Sequence, residues 1–161
     1  MIIRFMLNNM KKNLDADPAD KLSDVLREDF GLLSVNSCCN TGRCGGCTVL
    51  KDNIPVPACM VRMFSVRNSN ILTYEYISTT YEFQEISKVL KAMGCNFCEF
   101  CKHGKMITIY SLIKSSAQIT EKDVHEALSG NICNCTDFQT MALGVKLALN
   151  TIKRGKRAER K

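Results

Sequence analysis

No run in the 161-residue sequence reaches the roughly 18 consecutive apolar residues that a membrane-spanning helix needs. Residues 1–10 also lack a basic segment followed by an apolar core and cleavage site, so the chain reads as cytoplasmic. There is no G-x-G-x-x-G, no P-loop and no Ser-His-Asp arrangement, which removes the common signatures of dinucleotide binding, phosphate cradling and nucleophilic catalysis. No internal repeat or low-complexity tract is present. At 45% hydrophobic and 24% charged residues, the composition excludes a disordered or collagen-like chain and fits one ordinary globular domain or two small ones.

What the sequence has in excess is cysteine, with ten residues. That is below the density of a small disulfide scaffold, and in a reducing compartment thiols crowded at short spacing are metal ligands rather than crosslinks. Charge is uneven as well. Residues 151–161 hold Lys153, Arg154, Lys156, Arg157, Arg160 and Lys161 against Glu159 alone, which is +5 of the chain's +6. Such a tail suits an anionic partner, but it has no interleaved aromatics for base stacking. A solvated, frayed C-terminus without nucleic-acid function is therefore expected.

The apolar period changes along the chain. Ile3, Phe5 and Leu7 alternate with Arg4 and Met6 before an Asn8-Asn9 turn, which predicts a strand, followed by a second extended piece over residues 12–17. Leu22, Val25, Leu26 and Phe30 recur at helical spacing, with Asp20 as N-cap and Gly31 as stop. Residues 34–47 have loop composition, residues 48–50 resume as a strand, Asp52-Asn53 turn, and residues 71–74 form another β-rich run. The second half predicts four helices, one through Phe83 to Met93, one beginning near Gly104, one behind a Thr120/Asp123 capping box, and a long one from Phe138 to Ile152. The expected fold is therefore α+β, with a small sheet over one helix in residues 1–76 and a four-helix bundle in residues 77–161.

Cys39, Cys44 and Cys47 are spaced C-x4-C-x2-C, and Cys59 follows after a strand and a turn. This is the plant-type ferredoxin spacing for a 2Fe-2S cluster, in which four thiolates converge on two irons. Zinc also accepts four thiolates, but zinc ribbons use two C-x2-C knuckles rather than one loop with three ligands. Cys38 reads as a buried or incidental free thiol. In the helical half, Cys95, Cys98, Cys101, Cys133 and Cys135 are five candidates for four places, and spacing alone does not choose between the Cys95/Cys98 and Cys98/Cys101 pairs. A helix start beside such thiols offers free N–H groups and a dipole that favours an anionic cluster. His103 and His125 read as polar helix residues rather than ligands, and the methionines as core filler.

The string Cys98-Glu99-Phe100-Cys101-Lys102-His103-Gly104 resembles the C-G-F-C-T-P-G motif of the iron–sulfur subunit of molybdenum hydroxylases, the xanthine dehydrogenase and oxidase family. Gly130-Asn131-Ile132-Cys133-Asn134-Cys135-Thr136 is similar to that family's G-N-L-C-R-C-T, and the 31 residues between Cys101 and Cys133 match its separation. Residues 22–32 and 44–50 resemble its helix and ferredoxin loop. The resemblance implies a β-grasp plant-type ferredoxin-like domain with a first 2Fe-2S cluster on Cys39, Cys44, Cys47 and Cys59. It also implies a helical domain with a second cluster on Cys98, Cys101, Cys133 and Cys135, leaving Cys95 spare. By the same resemblance the chain passes electrons from a molybdopterin-binding large subunit to an FAD-binding medium subunit, in a heterotrimer or its dimer, with no catalytic residue of its own. A stand-alone ferredoxin-like carrier and a zinc-stabilised nucleic-acid module are the other readings. Departures from the family pattern, namely Phe97 for Gln, Glu99 for Gly, Lys102-His103 for Thr-Pro, Asn134 for Arg and Asp137-Phe138 for Gly-Tyr, gather on the surface that faces the molybdenum cofactor in the family.

Overall fold

The computed structural model describes residues 1–158. In β1 (Ile2–Leu7) the alternation expected from the sequence buries Ile3, Phe5 and Leu7 and turns Arg4 outward. Asn8 and Asn9 both adopt the left-handed region, at φ 51° and 64°, the geometry of a tight hairpin whose twist matches its strands. The return strand β2 (Met10–Asp15) starts two residues earlier than the sequence indicates. With β3 (Thr48–Lys51), β4 (Ile54–Pro57) and β5 (Asn70–Leu72) these strands make one five-stranded sheet in the order β2-β1-β5-β3-β4. β1 and β5 run parallel, and all other pairs are antiparallel.

α1 (Leu22–Glu28) lays Leu22, Val25 and Leu26 into a core with Ile3, Phe5, Leu7, Val49 and Ile71. Each such buried aliphatic or aromatic side chain stabilises by about 1.5–3 kcal/mol. Asp20 is not its N-cap. Lys21 holds that place without a side-chain bond, while the Asp20 carboxylate accepts from the Asp17 backbone N–H at 3.2 Å. Gly31 follows the helix at φ 65°, as its role as a stop requires.

β4 is absent from the sequence reading because Pro55 and Pro57 argue against a strand. It exists because it lies at the sheet edge, where half its backbone needs no partner, and because Asp52 and Asn53, at φ 51° and 68°, form a second hairpin. The run expected to stay extended to residue 74 ends at Leu72, and a short helix, α2 (Tyr74–Ile77), follows it.

Four longer helices form a second core: α3 (Tyr81–Ala92), α4 (Glu99–Ser115), α5 (Glu121–Leu128) and α6 (Phe138–Ala158). α3 packs along α6, and α4 packs against both α5 and β3, so that Leu50 of the sheet belongs to the helical core. Residues 104–111 of α4 are buried without interruption, so this helix has no polar face to show in its sequence. Thr120 and Asp123 form the expected capping box, with the Asp123 carboxylate accepting from the Thr120 backbone N–H at 2.7 Å. Thr120→Ala is expected to lower stability by about 1 kcal/mol, measured as a shift in the urea midpoint at constant m-value.

α6 extends six residues beyond the expected Ile152. Lys153 is not a frayed tail residue, because its ammonium donates to the Ala117 carbonyl. Glu159, Arg160 and Lys161 of the basic tail lie outside the described residues. Among the described residues no helix is long and apolar enough to cross a membrane.

Candidate metal centres

Residues 34–47 form the irregular loop expected from their composition, and its thiols are joined by backbone donors. The Cys44 N–H points at the Cys39 sulfur (3.4 Å), the Gly46 N–H at the Cys44 sulfur (3.5 Å) and the Cys59 N–H at the Cys47 sulfur (3.5 Å). Cys59 reaches Cys47 because a short 3-10 turn over residues 58–60 follows β4 directly. The N–H groups of Thr41 and Cys44 hold the Cys39 thiol down at about 5, and burial pushes Cys47 up to about 12.

In the helical half, α4 begins at Glu99 with Cys98 as its N-cap, five residues before the expected start near Gly104. The apolar residues Met106, Ile107, Ile109, Tyr110 and Ile113 place the start near Gly104, whereas Lys102, His103 and Gly104 already lie within the helix. Cys101 then stands in the first helical turn. Its sulfur lies 3.5 Å from that of Cys98, 3.0 Å from Cys133 and 3.9 Å from Cys135. The sulfurs of Cys98, Cys101 and Cys135 all lie within 4.8 Å of one another. The Cys135 N–H points at the Cys133 sulfur at 3.3 Å. The backbone N–H of Cys101 lowers Cys98 to about 7, while burial raises Cys101.

Cys95 does not join this set. It is buried among the helical-core residues, and burial alone raises its thiol. Cys38 is exposed and lines the same cavity as Cys44 and Cys98. His103 stands edge-on to Tyr74, with ring centroids 4.5 Å apart, and is not among the converging ligands; His125 is exposed and packs edge-on to Phe138.

The two thiol sets meet. Gly45 adopts φ 71°, and a Cβ there would overlap the Gly130 carbonyl and the Asn131 amide. Its carbonyl accepts from Thr48 Oγ1 at 2.7 Å and Asn131 Nδ2 at 3.2 Å. A Cβ on Gly104 would overlap that same carbonyl, so α4 passes over the ferredoxin-type loop at backbone contact. The Ile132 N–H donates to the Cys44 carbonyl at 3.2 Å, and Asn36 Nδ2 donates to the Glu99 and Phe100 carbonyls at 3.0 and 3.1 Å. The result is a cavity of about 210 Å³ whose wall includes Cys44, Cys98, Cys101, Cys133 and Cys135, with Phe100 and Ile132 beside them. The partners that Asn36, Asn131, Gly45 and Gly104 find here are not legible in the sequence, because each link acts across a long separation.

Beside this junction, Glu75 accepts from Thr73 Oγ1 at 2.6 Å and from the Ser34 N–H at 3.2 Å, tying the loop to α2. Burial raises the Glu75 carboxyl, but these bonds outweigh it and hold the group below its ordinary 4.5. A lowered folded-state value means the stabilisation is complete above the ordinary value and is lost as pH falls through the lowered one. Glu75→Gln is expected to flatten the acid limb of Tm against pH, followed by circular dichroism.

The donor chemistry fits iron–sulfur clusters: thiols without competing carboxylates, N–H groups aimed at sulfur, and a loop where added Cβ atoms have no room. Zinc would accept the compact second set equally well, so known proteins decide. The 2Fe-2S binding domain family matches residues 73–146. The chain is 31% identical over 147 residues to the nicotinate dehydrogenase small FeS subunit of Eubacterium barkeri, covering 91% of this chain and 94% of that one. It is 30% identical over 139 residues to the xanthine dehydrogenase iron-sulfur-binding subunit of Escherichia coli O157:H7, covering 85% and 87%. A chain in the crystal structure of quinoline 2-oxidoreductase from Pseudomonas putida 86 superposes with a TM-score of 0.84 at 27% identity, covering 96% of this chain and 97% of that one.

Proposed function

This chain belongs to the family of small iron–sulfur subunits of xanthine- and nicotinate-dehydrogenase-type molybdenum hydroxylases, and we propose that it works there as a two-cluster electron relay. Cys39, Cys44, Cys47 and Cys59 would hold a first 2Fe-2S cluster, and Cys98, Cys101, Cys133 and Cys135 a second. Bound in this way, each cluster accepts and releases one electron at a time. The observation that supports the reading is one cavity lined by Cys44 of the first set together with Cys98, Cys101, Cys133 and Cys135 of the second.

The chain's own residues hold and shield these centres. The N–H groups of Cys44, Gly46, Cys59 and Cys135 point at the sulfurs of Cys39, Cys44, Cys47 and Cys133 and would stabilise anionic clusters held there. Phe100 and Ile132, both about 70% exposed, offer apolar cover at the second set, where a partner would exclude water. The two hydrophobic cores support a division into a β-grasp ferredoxin-like domain, residues 1–76, and a four-helix 2Fe-2S domain, residues 77–161.

Electrons would enter the helical-domain cluster from a molybdopterin-binding large subunit, pass to the ferredoxin-type cluster, and leave to FAD on a medium subunit, in a cytoplasmic heterotrimer or its dimer. Substrate selection then belongs to the large subunit. The family assignment disfavours both the zinc-stabilised nucleic-acid module and the stand-alone carrier. Affinity purification through a tag on this chain from its native host tests the assembly. Co-elution of two larger chains with molybdenum and FAD is expected, whereas elution of the red chain alone would restore the carrier reading.

A further inference from the structure

Among the described residues, Lys105 is the one lysine of the core. It lies in the buried stretch of α4 at 2% exposure, the largest of the fully buried side chains. A lysine that merely runs its stem along apolar surface keeps its ammonium in water, and that degree of burial leaves no such route. Among the described residues Lys105 makes no ion pair and no side-chain hydrogen bond. Its Nζ stands 5.6 Å from the centre of the Phe97 ring. Burying an isolated ammonium costs more than one cation–π contact returns.

The surroundings supply a better partner. Lys105 and Cys133 line one cavity of about 540 Å³. Asp137 lines it too, but its carboxylate is held by the Thr140 N–H at 2.9 Å and Thr140 Oγ1 at 3.0 Å. Cys133, the other side chain of that cavity able to carry negative charge, belongs to the converging set, its sulfur 3.0 Å from that of Cys101.

We propose that Lys105 is the counter-charge of the second cluster and holds its reduction potential above the value the four thiolates alone would set. The inference rests on the assignment of Cys98, Cys101, Cys133 and Cys135 to that cluster. A 2Fe-2S core on four thiolates is a dianion when oxidised and a trianion after one electron reduces one ferric ion to ferrous. A fixed buried cation therefore stabilises the reduced form more than the oxidised one. Phe97, packed against the helical core beside the ammonium, helps position this charge.

The test is a dithionite-poised redox titration of the full cluster-loaded chain, read by EPR for each cluster separately. Lys105→Met keeps volume and helix propensity while removing the charge. It is expected to shift the second cluster's reduced-to-oxidised ratio at least tenfold towards oxidised at fixed ambient potential, which is 59 mV for one electron, while the first cluster stays in place. Lys105→Arg should retain the wild-type potential. If Lys105→Met fails to assemble the second cluster, Lys105→Gln is measured instead, with the same shift expected. An unmoved second cluster, or equal shifts in both, overturns the role of Lys105 alone. A wild-type chain without a second 2Fe-2S signal overturns the relay itself.

Discussion

Cys101→Ala and Cys135→Ala are each expected to abolish the EPR signal of the second cluster in the reduced chain and to leave that of the first intact. The reason is convergence: the Cys101 sulfur has those of Cys133, Cys98 and Cys135 at 3.0, 3.5 and 3.9 Å, and alanine removes it from the middle of the set. A 2Fe-2S core needs four thiolates, so iron should fall from about four to about two per chain. Cys95→Ala provides the contrast. Its sulfur is packed in the helical core, so the substitution should leave both signals and the iron content unchanged, at a modest cost in stability. Loss of the second signal in Cys95→Ala, with Cys101→Ala unaffected, would reverse the ligand assignment.

The other large effect lies at a residue with no chemistry. Helix propensity alone makes Gly104→Ala stabilising by about 1 kcal/mol, since Gly104 is interior to α4. The packing reverses that sign. The new Cβ would overlap the Gly45 carbonyl oxygen and approach its carbon at 3.0 Å, and both atoms are backbone, fixed by Thr48 and Asn131. Overpacking against backbone that cannot give is expected to cost about 3 kcal/mol or more, or roughly 6–12 °C in Tm for a chain of this size. Because Gly45 sits between Cys44 and Cys47, the visible circular dichroism of the first cluster should change as well. A Tm equal to or above wild type would show that α4 does not press on this loop.

The parts of this arrangement that sequence reveals are the local ones. Ligand spacing within a loop survives as C-x4-C-x2-C because three thiols of one site come from nine consecutive residues. α3 and α6 show their apolar faces because each is half exposed. β4 does not show, since its prolines are tolerated only by virtue of an edge position that depends on the whole sheet. The start of α4 is hidden because Cys98 caps the helix without a side-chain bond, and Gly104 looks like a boundary while serving as a crossing point. Lys105 is the clearest case. In a helix buried on all sides there is no polar face against which a lone charge looks out of place, and only its neighbours identify it as unusual.

The central claim is that one chain carries two adjacent 2Fe-2S clusters. Metal and acid-labile sulfide analysis of the anaerobically purified chain, with a stepwise reductive titration followed by EPR, tests it most directly. About four irons and four sulfides per chain, no zinc, and two distinct signals that each take up one electron are the predicted result. A colourless chain containing zinc, or a single signal with half that iron, would contradict it.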